Sequence, residues 1–420
     1  MTKKNQSLSR IYCGLYVGIL LSTLCGIANA QATRVSVNSA NVQANRGAST
    51  SSSPSISANG RFVAFGSTST NLVPGGVKDA EAVYFHDRLT HKTSRVSVSS
   101  SGVAGPGMFP SMSADGRYVV FESWVDTLAK GDANNMNDVL IHDNATHTTS
   151  LVSVSSKGVQ GNNSSNKASI SANGRFVVFE SFADNLVPGD TNGVSDIFVR
   201  DLKAKTTTRV SVSTSGRQGD QYSGAGLATI SGDGRFVAFT SLSKTLVAND
   251  KNKGWDAFVH DNLSKMTINL TSNLLPLGGA DSKISANGQF VVFLGVVNPD
   301  TPEAAGMTLI YNVFNGQITP AIAEVPGLSL AGGNPSISGD GHFLAFEAVT
   351  PDNLSNIFIQ DQVTNATYLV SANSKGVRGK NHSLLPTMST DGHHVAYLSM
   401  ASNLVPGDTN KAVDVFVLDF

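Results

Sequence analysis

Four kinds of residue recur in this sequence at spacings that could do chemistry. The first is an acidic pattern, D-x-N-x-x-x-D, complete at Asp132/Asn134/Asp138, Asp190/Asn192/Asp196, Asp250/Asn252/Asp256 and Asp408/Asn410/Asp414. Carboxylate and amide oxygens at alternate positions of a flexible loop are what a hard cation such as calcium requires. The pattern is shorter than an EF-hand loop and lacks its terminal bidentate Glu. One further copy carries Gly76, Lys78 and Ala82 instead, which should exclude a cation. The same residues also form Asx-turns that shape a loop. Calcium is therefore a candidate cofactor, with turn formation as the alternative.

The second kind is an Asp at 87, 143, 201, 261, 361 and 419, preceded by His86, His142 and His260 in three copies. A His–Asp dyad suggests acid–base catalysis. Adjacent residues on a strand point to opposite faces, however, and a catalyst need not be copied around a repeat. A turn-forming Asp is expected. The third kind is a carboxylate at matching positions, Glu122, Glu180 and Glu347, which would sit at solvated strand ends. The fourth is Trp255, where other copies have Ser195 or Val413. An exposed Trp there could stack on a sugar or anchor a partner; the alternative is a ring half-packed against its neighbour. No nucleophile-elbow, zinc-protease, P-loop or dinucleotide motif accompanies these residues, so no catalytic residue is assigned and the reading leans away from an enzyme.

The elements that must position these residues follow from a repeat. SPSISANGRFVAF at 53–65 returns as FPSMSADGRYVVF, ASISANGRFVVF, ATISGDGRFVAF, SKISANGQFVVF, PSISGDGHFLAF and PTMSTDGHHVAY. The shared glycines, Gly60, Gly116, Gly174, Gly234, Gly288, Gly341 and Gly392, lie 51 to 60 residues apart. Each unit reads as four short strands: in the third, Ala168–Ser171, Arg175–Ser181, Asp196–Asp201 and Thr208–Val212. An Asn-Gly or Asp-Gly pair closes the first hairpin, predicting a type I′ turn. The second strand is apolar on both faces, so it must be covered on both. Such units stack radially, predicting an all-β, seven-bladed propeller over residues 31–420. Thr33–Val37 matches a fourth strand and Val415–Phe420 a third, so the N-terminal strand should complete the last blade. Tight turns fall on one face and long loops, such as Ser155–Lys167 and Asn185–Ser195, on the other, where binding is expected.

The run S-x-D/N-G-R-F-V-A-F, N-L-V-P-G-D-T-N, D-I-F-V-R-D and T-x-R-V-S-V resembles the TolB-like, WD-repeat-like β-propellers of exported bacterial proteins. The resemblance spans residues 33–420 and concerns the repeats. It does not extend to TolB's separate N-terminal domain, so TolB's own role is not carried over. It implies a periplasmic or secreted interaction module whose partner is an envelope or extracellular protein or glycan. The competing expectation is a polysaccharide lyase or hydrolase with its site at the central channel.

Composition agrees with export. Lys3, Lys4 and Arg10 precede an apolar run from Ile11 to Ile27 and the triplet Ala28-Asn29-Ala30, a secretory leader with cleavage after Ala30. Both cysteines, Cys13 and Cys25, lie within it, so the mature chain offers no disulfide, thiolate site or Cys nucleophile. Without the leader the chain carries 27 Lys+Arg against 31 Asp+Glu, giving no electrostatic footprint for nucleic acid or an anionic membrane. A soluble monomer is expected.

Overall fold

The computed structural model describes residues 31–420 apart from 78–79, 249, 251–253, 272–277, 298–304, 323–327 and 330–333; the expected leader, Lys78 and Asn252 lie outside the described residues. Every repeat forms one four-stranded antiparallel sheet, and seven such sheets make the all-β propeller. In the third blade the strands run Ser165–Ile170, Phe176–Ser181, Asp196–Asp201 and Thr206–Arg209, in that order. The second and third strands are buried on both faces because neighbouring blades cover them. Val120 and Val139 of blade two, for example, share a core with Val177, Phe179 and Phe198 of blade three. Within a blade, Phe179 stacks on Phe198 at 5.9 Å, and Phe239–Phe258, Phe346–Phe358 and Tyr397–Phe416 repeat the pair at 5.6, 5.9 and 5.8 Å. Such cross-strand aromatic pairs add about 0.5–1.5 kcal/mol beyond the area they bury.

The first hairpin differs from the expected type I′ turn. In blade one the Gly60 amide donates to Ser57 O at 3.0 Å, and only Gly60, at φ +70°, enters the left-handed region. The connection is a type I turn followed by a left-handed glycine. Short side chains make this the better solution: Asn59 Oδ1 accepts the Arg61 amide and the Ser57 hydroxyl, while Ser57 Oγ accepts the Phe62 amide. The glycine is needed twice over. In blade four a Cβ on Gly234, at φ +84°, would lie 2.0 Å from the Phe176 ring of blade three. The repeated G-R-F therefore interlocks blades, each aromatic ring seated on the next blade's glycine.

The N-terminal strand closes the last blade, as expected, but two residues earlier. Gln31–Arg34 pairs with Asp414–Asp419, Gln31 opposite Asp419 and Arg34 opposite Phe416. The ladder stops at Val35 because the chain then turns tightly, the Val37 amide reaching back to Val35 O at 2.9 Å. Blade three behaves alike, its fourth strand ending at Arg209 rather than Val212.

The innermost strands line the central channel. At the tight-turn end seven backbone hydrogen bonds join their tips in a closed circle. Ala58, Ala114, Asn173, Gly232, Asn287, Gly339 and Asp391 each donate to the next blade at 2.8–3.1 Å. Just inside, Ile56, Met112, Ile170, Ile230, Ile284, Ile337 and Met388 form an apolar ring, each less than 10% exposed and together lining a cavity of only about 140 Å³. The channel is narrow at this end.

Candidate functional site

On the tight-turn face of blades one to four, the Asp that closes the third strand is held by an arginine not connected with it from sequence; in blades six and seven His342 and His394 hold Asp361 and Asp419 instead. Arg61, Arg117, Arg175 and Arg235 follow the turn glycine and make two-point contacts with Asp87, Asp143, Asp201 and Asp261, 2.6–3.0 Å long. The constant spacing of 26 residues was the available signal. Each Asp also accepts amides of its own turn, such as Leu89 and Ala145. The Arg117 hydrogen bonds hold Asp143 down to about 2. This Asp is a brace.

The histidines beside these Asp residues point the other way, as strand alternation requires. His86, His142 and His260 are buried, with Nδ1 2.8–2.9 Å from Thr93, Thr149 and Thr267 Oγ1. Each threonine hydroxyl donates to the preceding blade, to Val37 O, Val98 O and Val212 O. It therefore accepts from Nδ1–H, which assigns the neutral tautomer. Burial lowers all three histidines to about 4. They tie blades together and carry no dyad.

On the long-loop face the D-x-N-x-x-x-D residues do come together, around donors of the chain itself. In blade three Arg209 NH1 sits 3.0 Å from Asp190 and 3.2 Å from Asp196, with its side chain only 10% exposed. Asn192 spans Asp196 Oδ2 and Gly219 O, and Ser211 donates to Asp196 Oδ1. In blade two Gln160 bridges Asp132 and Asp138 at 2.7 and 2.8 Å, while Asn134 donates to Gly161 O. In blade seven Gln43 bridges Asp408 and Asp414 at 2.8 and 2.9 Å, and Asn410 donates to Asp414 and Ala44 O. In blade four Thr271 donates to buried Asp256, and Asp250 is half-buried. Among the described residues no group of three His, Cys, Asp or Glu side chains is placed to hold a metal ion. Blade two differs in charge: Leu151 occupies the place of Arg209, and burial together with Asp138 and Asp126 raises Asp132 to about 6.

The glutamates correct the expectation of solvated strand ends. Glu122, Glu180 and Glu347 are 2, 6 and 8% exposed. Glu122 and Glu347 are buried because each holds the next blade's inner strand, whereas Glu180 holds a lysine of its own blade's inner strand. Glu122 accepts the Lys167 amide and Glu347 the Leu385 amide, at bulges where Lys167 and Leu385 adopt φ +53° and +55°. Glu180 pairs with Lys167 Nζ at 3.0 Å. Burial pushes Glu122 up to about 7. In blade one Gly66 stands at this position, and the Glu81 carboxylate fills the space its side chain would take.

These bulges open the channel into a cavity of about 340 Å³ at the long-loop face, lined by Phe109, Lys167, Lys283, Asn334, Leu385 and a series of serines. The same face carries exposed aromatic residues at or beside the ends of the second strands: Trp124, 42% exposed, Phe182, 41%, and Tyr222, 47%. Trp255, singled out from sequence, is half-buried at the entrance to the strand Asp256–Asp261. Trp124 was missed, although an apolar residue recurs after the second strand's terminal serine as Trp124, Phe182, Leu242 and Met400.

No protein family and no curated protein is matched by this sequence. Solved structures do match. The β-propeller domain of the trilobed protease from Pyrococcus furiosus, described as having an open velcro topology, aligns over 90% of this chain and 94% of its own, with 13% identity and a TM-score of 0.57. An oligogalacturonate lyase in complex with manganese aligns over 94% of both chains, with 11% identity and a TM-score of 0.59. TolB from Acinetobacter baumannii aligns over 86% of this chain and 81% of its own, with 13% identity and a TM-score of 0.42. At such identities the likeness concerns the fold alone: the chain is a seven-bladed β-propeller, and its last blade is closed by its own N-terminal strand.

Proposed function

We propose that this is an exported, monomeric, non-catalytic propeller that binds a macromolecule of the bacterial envelope or exterior on its long-loop face. One observation carries the reading. The repeated acids, histidines and arginines of the blades are engaged within the scaffold itself, whereas Trp124, Phe182 and Tyr222 stay exposed on the long-loop face. Exposed aromatics that keep a polar neighbourhood are favoured anchors for partners. The D-x-N-x-x-x-D acids are read as braces of the loops that display them. Export rests on the leader read at residues 1–30.

The test measures retention of envelope proteins and polysaccharides on the immobilised mature chain, compared with a Trp124→Ala/Phe182→Ala/Tyr222→Ala variant. Saturable binding that the variant loses supports the proposal; equal retention by both proteins sinks it. A second reading, a polysaccharide lyase or hydrolase at the channel, is favoured by Glu122, raised to about 7 beside Lys167 and Glu180. A carboxyl near neutrality suits general acid–base work. Turnover of acidic or neutral glycans, abolished by Glu122→Gln, would establish that reading instead.

A further inference from the structure

The channel is a second, deeper compartment of the long-loop face, and its chemistry is specific. The circle of backbone hydrogen bonds and the Ile/Met ring narrow its floor to a space of only about 140 Å³. Its open part, about 340 Å³, lies at the lower end of the range for small-molecule pockets, roughly 300–1,000 Å³. Hydroxyls recur along a wall that is otherwise largely apolar. Ser55, Ser111 and Ser336 each accept the amide of the next blade's Met112, Ile170 and Met388 at 3.0–3.2 Å, which leaves a hydroxyl proton to donate. Ser52 also lines this cavity, is only 7% exposed, and its Oγ has no partner. A buried hydroxyl without a partner carries a desolvation penalty that a ligand oxygen removes.

One aromatic ring completes the mouth. Phe109 sits in a bulge between Met108 and Ser111 at φ +53° and lines the same cavity. Bulges re-aim side chains next to binding sites. Hydroxyl donors below one aromatic face suit a pyranose, which offers hydroxyls at its edge and C–H groups on its face. An anion is less well served, because Lys167 is committed to Glu180 at 3.0 Å and Gly224 O at 2.6 Å, and the charge of Lys283, the other lysine of the wall, acts on buried Glu347.

We propose that the channel's long-loop cavity binds the uncharged terminal sugar of a glycan, seated against Phe109 and hydrogen-bonded by Ser52 and its neighbouring hydroxyls. This rests on the long-loop face being the binding face, and it names the ligand class. The experiment is saturation-transfer NMR and calorimetry on the mature chain with glucose, N-acetylglucosamine and glucuronate. Phe109→Ala and Ser52→Ala variants, checked for unchanged melting, are run alongside. Neutral sugars should bind more tightly than glucuronate, and Phe109→Ala should weaken them about tenfold, the order expected for a lost aromatic contact. Preference for glucuronate, no binding of any sugar, or unchanged affinity in both variants would overturn the assignment. If the rim triple variant loses a macromolecule while both channel variants keep it, the binding face stands and the channel site falls.

Discussion

Asp196 shows what a repeated acid does in this molecule. Its two oxygens are divided among Ser211, Asn192 and Arg209 in a buried site. Removing one partner of such a pair leaves the other charge buried and uncompensated, typically at about 3–5 kcal/mol. Asp196→Ala should therefore lower the melting temperature substantially, and calcium or chelator should leave both proteins unchanged. Calcium-dependent melting that vanishes in the variant would restore the ion reading.

The histidines supply a second test at this scale. Their folded values near 4 lie below the free value of 6.5, so the unfolded chain holds more protons between those limits. Their contribution is complete above about pH 6.5 and is lost as pH falls towards 4. Glu122, raised to about 7, acts oppositely, since the folded state takes up its proton first. A His86→Gln/His142→Gln/His260→Gln variant isolates the histidine part, with Gln360 already serving at the equivalent place in blade six. Its melting curve should fall less steeply between pH 6.5 and 4 than that of the parent. Parallel curves would show that the histidines are not held neutral.

At the scale of the elements, the repeated G-R-F joins two demands, a left-handed turn and a seat for a ring. Gly234→Ala meets both at once: positive φ costs about 1–2 kcal/mol and overpacking against Phe176 about 1–3. We expect a loss of roughly 2–4 kcal/mol in a urea titration, against well under 1 for Gly254→Ala, which meets open space. Equal effects would refute the interlock. The blades themselves were legible because period-two apolar runs and turn residues are local signals. The third strand Asp196–Asp201 was read with its observed limits. The turn type was not, because the Asn59 and Ser57 side chains accept the Arg61 and Phe62 amides and favour a type I geometry. Nor was the burial of Glu122, whose partner is the amide of Lys167 in the next blade, 45 residues away. Contacts between blades leave no mark in any single repeat.

At the scale of the whole molecule, closure and function meet. Deleting Gln31–Arg34 removes a full strand and bares the edge of Asp414–Asp419. A lower melting temperature and concentration-dependent aggregation are expected, measured by calorimetry and light scattering; melting like the parent would mean that the ring does not depend on this strand. The closed ring also fixes which face can bind. Its tight-turn face is braced by Arg–Asp pairs, is narrow at the channel and exposes single turn residues such as Leu89, Leu263 and Phe314, while its long-loop face opens into the channel cavity and exposes Trp124, Phe182 and Tyr222. That asymmetry is the central claim, and site-directed photo-crosslinking in living cells tests it most directly. A photoreactive residue at 124, 182 or 222 should capture a specific macromolecule, and one at 89, 117 or 263 should capture none. Specific capture from the second set with none from the first would contradict the account.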